Sequence, residues 1–252
     1  MALNSSVLAG IAIGIVIVIF IAGFILHDRK EAYWILTAVL MIFFLGVIGK
    51  AVNGRWTGIL IDERKVMSLS RFQIVIWTVI ILSAFLTIAT AGIFAGKSDP
   101  LNIKIDWHLW ALLGISSTSL VGTPLILDDK KKKTVRPEVM ERNQYLNVPR
   151  EGIVFKYLDD NSARFTDMFE GDETGNQLNV DMSKVQMFFF TVISALSYIV
   201  LLFNEFLAPG IPTSLPVPPE GLIAILTISH GTYLTYKIAD HTPGVAKQIP
   251  IQ

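Results

Sequence analysis

The sequence predicts an all-α integral membrane protein: a six-transmembrane helical bundle with an internal parallel duplication of a two-helix hairpin. Three observations lead there. Hydrophobic residues fill 52% of the 252 positions and charged ones only 17%, with a mean hydropathy of +0.54, unlike a soluble domain. Apolar runs recur at the length that crosses a hydrocarbon core of about 30 Å at a rise of about 1.5 Å per residue. Finally, SRFQIVIWTVI at residues 70–80 returns as SKVQMFFFTVI at 183–193.

The runs, in order, are Val7–Leu26, Ala32–Ile48, Phe72–Phe94, Trp107–Leu127, Val185–Leu207 and Leu222–Ile238. The second and sixth are short and also fit an interfacial or tilted placement, which would bring the count to five. The first follows MALNSS, which lacks the basic segment of a secretory signal. Its length also exceeds the signal core of ~7–15 residues, so it reads as a retained helix. With no cysteine in the chain, disulfides, thiolate metal sites and cysteine nucleophiles are excluded, and the redox compartment is left open.

Orientation follows from the basic residues, which favour the cytoplasmic side of helix ends. DDKKKKTVRPEVMER after the fourth run marks a cytoplasmic loop. Counting outward, the nearly uncharged APGIPTSLPVPPEG lies outside, while Lys50, Arg55, Arg64, Lys65 and Arg71 lie inside, as does the tail with Lys237 and Lys247. Both termini are then cytoplasmic, in a plasma or inner membrane. HDRKEA fits less well, since it places Arg29 and Lys30 outside, although Asp28 and Glu31 accompany them.

The repeated phrase extends at a constant offset of 113 residues. Ser70, Gln73, Thr78, Val79 and Ile80 match Ser183, Gln186, Thr191, Val192 and Ile193, with Arg71 against Lys184. In the following run Ala111, Leu113, Ile115 and Ser116 match Ala224, Leu226, Ile228 and Ser229 without a gap. Two crossings per copy return the chain in the same orientation, so the copies are parallel repeats about an axis along the membrane normal. The organisation is then a two-helix segment at 1–66, hairpins at 67–127 and 181–240, a cytoplasmic loop at 128–180 and a tail at 241–252.

The matched polar residues supply the candidate sites. Ser70 and Ser183 can cap a first turn while Arg71 and Lys184 reach the headgroups. One turn deeper, Gln73 and Gln186 need partners inside the bundle and are read as a hairpin bridge or a vestibule lining. Ser116, Ser119 and Thr123, with their mates Ser229, Thr232 and Tyr236, make a polar stripe, and His230 adds a group that titrates near neutral pH. This set is the candidate pathway lining. Its structural counterpart is a dry stripe in which hydroxyls bond to the preceding turn and His230 to a neighbour.

Lys130, Lys131, Lys132 and Lys133 abut the membrane and are candidates for lipid headgroups, besides setting topology. From Asp159 to Asp181 the balance inverts, with seven carboxylates against Arg164 alone. Asp167, Phe169, Glu170, Asp172 and Glu173 form a candidate partner surface, against the alternative of a solvated face. The spacing lacks the D-x-D-x-D-G of a calcium loop, so neither metal nor cofactor is expected. No phosphate loop, H-E-x-x-H or G-x-S-x-G is present, and the four histidines are scattered, so no enzyme is expected. The reading is a small homo-oligomeric channel or permeation subunit in the lipid bilayer, with a polar path along the fourth and sixth helices. The alternative is a membrane anchor or sensor that presents the 159–181 segment to a soluble cytoplasmic protein. No nucleic-acid partner is expected.

Overall fold

The computed structural model describes residues 5–136, 149–242 and 244–246. Among them are six long helices: α1 (Ser5–Leu26), α2 (Lys30–Asn53), α3 (Leu69–Phe94), α4 (Trp107–Lys131), α5 (Met182–Leu207) and α6 (Glu220–Ile238). α1 to α5 are long and apolar enough to cross a membrane. α6 is not among them, because its 19 residues include Ser229, His230, three threonines and Lys237. The described residues are mostly helical and their apolar helices are compatible with a polytopic membrane protein, with large side chains such as Ile13, Phe20, Ile25, Ile42 and Val52 turned outward. A helix apolar on every side is at rest only where its surroundings are apolar too.

Three of the four helix boundaries follow the 113-residue offset, the exception being the ends of α4 and α6. α3 and α5 each have 26 residues, and Leu69 and Phe94 stand opposite Met182 and Leu207. Trp107, which starts α4, stands opposite Glu220, which starts α6.

The chain divides into two compact units, each made of several segments. The first holds Met1–Ile59, Gln73–Gly114 and Thr191–Ile225. Here α1 and α2 pack through Leu8, Ile15 and Val47, with Ile11, Leu40 and Phe44 beside them. The indole of buried Trp34 donates to Ser83 Oγ at 3.0 Å, fastening α2 to α3. After Asn53 the chain turns through Gly54 at φ 71° and folds back on α2. A Cβ on Gly58 would strike the Gly49 carbonyl, so only a glycine permits this approach. Buried Trp77 and Tyr198 bring α3 and α5 together, ring centroids 6.2 Å apart.

The second unit holds Leu60–Phe72, Ile115–Phe190 and Leu226–Gln252. Four short strands belong to it: β1 (Lys133–Val135), β2 (Arg150–Glu151), β3 (Val154–Phe155) and β4 (Gly244–Ala246). β1 pairs antiparallel with β4, Lys133 opposite Ala246, and β2 with β3. The turns at Asp160–Ser162 and Phe165–Phe169 are 3₁₀ helices, the first capped by the Asp159 side chain and the second by Asp167. A core of Ile61, Met67, Leu69, Ala163, Met168, Met187 and Tyr233 joins this segment to the helix ends. Of the loop expected at 128–180, the first four residues extend α4, and the described residues 149–181 form a folded cap. Lys247 and residues 137–142 of the basic loop lie outside the described residues.

Candidate functional site

The densest chemistry in the second unit surrounds the dipeptide Asp172–Glu173. Asp172 is 8% exposed, and three cations converge on its carboxylate. Arg64 Nη1 lies 2.8 Å and Lys184 Nζ 3.0 Å from Oδ1, and Lys237 Nζ lies 2.7 Å from Oδ2. Arg64 also forks onto Asp62, with Nε and Nη2 at 3.0 and 2.9 Å from Oδ2. Glu173 faces the other way. Its Oε1 takes Lys130 Nζ at 2.5 Å, and its Oε2 accepts the backbone amides of His241 and Thr242 at 2.9 and 2.6 Å.

Each contact comes from a different stretch of chain: the approach to α3, the end of α4, the start of α5, the end of α6 and the segment after it. Burial by itself would disfavour the Asp172 charge, yet Lys184, Lys237 and Arg64 together hold its carboxyl well below the usual carboxylate range. Arg64, buried but flanked by Asp62 and Asp172, is pushed above its ordinary value.

Two further carboxylates organise the cap. Asp167 Oδ2 accepts the amides of Arg164 at 2.7 Å and Met67 at 3.2 Å, and its Oδ1 accepts the Tyr157 hydroxyl at 3.1 Å. Asp181 caps α5 by accepting the Ser183 amide and hydroxyl at 2.9 and 2.5 Å. The cavity beside Lys130, Asp172 and Glu173 measures about 10 Å³, a single water position. No group of three acidic or histidine side chains among the described residues is arranged to hold a metal ion. The arrangement ties segments together and leaves no room for a substrate.

A polar seam within the same unit leads toward this hub. Ser119 Oγ and His230 Nδ1 are 2.7 Å apart, and Thr123 Oγ1 and Tyr233 Oη are 3.1 Å apart. Lys237 Nζ then sits 4.8 Å from the centre of the Tyr233 ring. Ser116, Ser119, Thr123 and Lys130 are all buried on α4, and His230, Tyr233 and Lys237 are all buried on α6. Their spacings of three, four and seven put each set on one helix face.

These positions correct several expectations. Ser116, Ser119, Thr123, Ser229 and His230 are buried, but Thr232 and Tyr236 point outward. Thr232 bonds back to the Ile228 carbonyl at 2.9 Å and Tyr236 stacks on His241. The inward face of α6 is instead the one that carries Tyr233.

The five acidic-segment residues singled out from the sequence are not a solvated face. Asp167, Asp172 and Glu173 are buried among cations and amides, while Phe169 and Glu170 are half-buried. Lys130 does not reach headgroups, because Glu173 neutralises it in the interior. Lys131 pairs with Glu63 and Asp128 and Lys133 with Asp240, which leaves Lys132 as the exposed one. Gln73 is buried and donates to Thr191 Oγ1 at 2.6 Å, whereas Gln186 is exposed, so the two do not bridge to each other. Arg71 is half-buried, while Lys184 belongs to the hub.

Sequence reasoning missed the roles of Arg64, Lys237 and Lys130 as partners of one acidic pair. The available signal was the Gly-Asp-Glu-Thr-Gly run, whose second glycine packs against Thr242; a Cβ there would lie 2.7 Å from its hydroxyl. No protein-family model, curated protein or solved structure matches the chain.

Proposed function

We propose that the chain is a six-span membrane protein built on a duplicated hairpin. Both termini and the folded cap at 149–181 lie on the cytoplasmic side, and the chain serves as a membrane anchor or sensor for a soluble partner. The observation that carries this reading is the Asp172–Glu173 hub, which links the cap to α4, α5, α6 and the approach to α3. A segment fastened at so many helix ends moves when they move. The coincidence of helix boundaries at the 113-residue offset supports the duplication. Since the acidic side chains are occupied internally, the partner would meet what the cap exposes, including Leu158, Phe165 and Leu178.

A second reading keeps the channel and places its path between copies of the chain. It is favoured by the outward face of α6, which exposes Thr227, Gly231, Thr232 and Thr235, residues that are poor company for lipid.

Hydrogen exchange on protein in lipid nanodiscs, together with ion flux in liposomes, separates the two. Under the anchor or sensor reading, Ser119→Ala and His230→Ala raise exchange across residues 165–181, and neither wild type nor variants conduct. Cap exchange unaffected by these changes, with flux that falls on His230→Ala or Thr232→Ala, would replace it with the channel.

A further inference from the structure

The folded cap meets α5 through a run of aromatic rings, all within the second unit. On the cap, Phe165 and Phe169 sit edge to face with centroids 5.5 Å apart. Phe169 then meets Phe188 of α5 at 5.1 Å, and Phe165 meets the same ring at 6.4 Å. Phe188 in turn stacks on Phe72 of α3 at 5.4 Å and touches Phe189 at 5.8 Å. The inner rings are half-buried, whereas the two at the ends of the run, Phe165 and Phe189, are 56% and 55% exposed.

What covers Phe189 is set by the length of α5. Its 26 residues extend about 39 Å at a rise of about 1.5 Å each, more than a hydrocarbon core of about 30 Å. Near its end Asn204 is exposed and Glu205 half-buried, and polar side chains there mark the far edge of the core. The roughly 20 residues that cross the core then run back to about residue 184, and Gln186 is exposed at that near edge. Phe188 and Phe189 lie just inside it, so the exposed ring of Phe189 faces acyl chains.

This placement decides the surroundings of Phe165. Its ring is 6.4 Å from that of Phe188, and a headgroup layer is about 5–8 Å deep, half the difference between the whole bilayer and its core. Phe165 is thus held at the acyl edge or within the headgroup layer. A soluble protein has no room to slip between, because even a single helix is about 10–12 Å across. Lipid is the occupant that fits the exposed ring.

We propose that the cap is seated on the membrane surface, with the Phe165 ring inserted at the boundary between headgroups and acyl chains. The contact is apolar and is driven by removing the ring from water, so it does not depend on headgroup charge. It rests on the reading of α5 as a membrane span and narrows the platform for a soluble partner, which keeps Leu158 while lipid takes Phe165.

The chain has no cysteine, so single nitroxide labels at Phe165→Cys, Phe189→Cys and Lys132→Cys test the seat on the full chain in phosphatidylcholine nanodiscs. Collision with oxygen, which concentrates among acyl chains, is compared with collision with a water-soluble nickel chelate. Lys132, charged and exposed beyond the end of α4, is the aqueous reference. The oxygen-to-nickel ratio at Phe165 should exceed that at Lys132 several-fold and approach that at Phe189. A ratio at Phe165 equal to that at Lys132, beside a high one at Phe189, overturns the proposal and hands the ring to water or to a soluble partner. A ratio at Phe189 as low as that at Lys132 overturns the reading of α5 as a span, and the seat with it. Wild type gives a second measurement that no substitution disturbs. In nanodiscs whose phosphatidylcholine carries a diazirine at the start of an acyl chain, light should tag residues 164–169; tags confined to the long helices overturn the proposal.

Discussion

Replacing Asp172 by Asn removes one negative charge and keeps the shape. Arg64, Lys184 and Lys237 then remain at 2.7–3.0 Å from a neutral amide, each 4–5% exposed. Breaking one buried pair leaves an uncompensated charge and costs about 3–5 kcal/mol. Asp62 offsets part of the Arg64 charge, so that range, not a multiple of it, is expected. The assay is reversible unfolding of the reconstituted protein, wild type against Asp172→Asn, at several pH values.

Because the folded carboxyl lies well below its ordinary value, its contribution is complete above the unfolded value of about 3.9. It is lost as pH falls through the folded value. The difference between the two proteins should therefore be flat from pH 5 to 8 and shrink only in strong acid. A difference under about 0.5 kcal/mol at pH 7, the size of an ordinary surface substitution, would refute the view that the hub holds the cap. So would a difference that grows on acidification.

Four more predictions use the same measurement. Lys130→Met strands Glu173 in the interior and should cost about 3–5 kcal/mol. Lys132→Met touches only an exposed pair, 77% and 73% open at 4.0 Å, and should change stability by at most about 1 kcal/mol. Gln73→Leu breaks the bond to Thr191 and should cost about 0.6–1.7 kcal/mol, while Gln186→Leu, on an exposed face, should be close to neutral. Gly58→Ala drives a methyl into the Gly49 carbonyl and should cost about 1–3 kcal/mol by overpacking; retained stability would show that the α2 return is loose.

Helix existence and type were legible because hydrocarbon-length apolar runs leave the backbone only one way to satisfy its own hydrogen bonds. The starts of α3 and α5 fall three residues before the runs read from the sequence, and the capping side chains are Ser68 and Asp181 instead of the expected Ser70 and Ser183, which lie inside the helices. The site was harder to see. An acid in a loop is solvated by default, and the cations that bury Asp172 lie 108, 12 and 65 positions away along the chain. The stripe on α4 was placed by its period, but the inward face of α6 was misjudged by carrying the repeat register across. His230 and Tyr233 face Ser119 and Thr123, while their hydroxyl neighbours Thr232 and Tyr236 face outward.

Composition and periodicity by themselves determined the solvent this chain is built for, the number and rough limits of its helices, and the presence of a repeated phrase. These are local properties, set by transfer free energies and backbone geometry that each segment carries alone. Which charges are paired and which of the matched polar residues are buried were decided only in the tertiary structure. A charge becomes tolerable in an interior only when distant segments bring its partners within hydrogen-bonding distance, and no segment carries that information by itself.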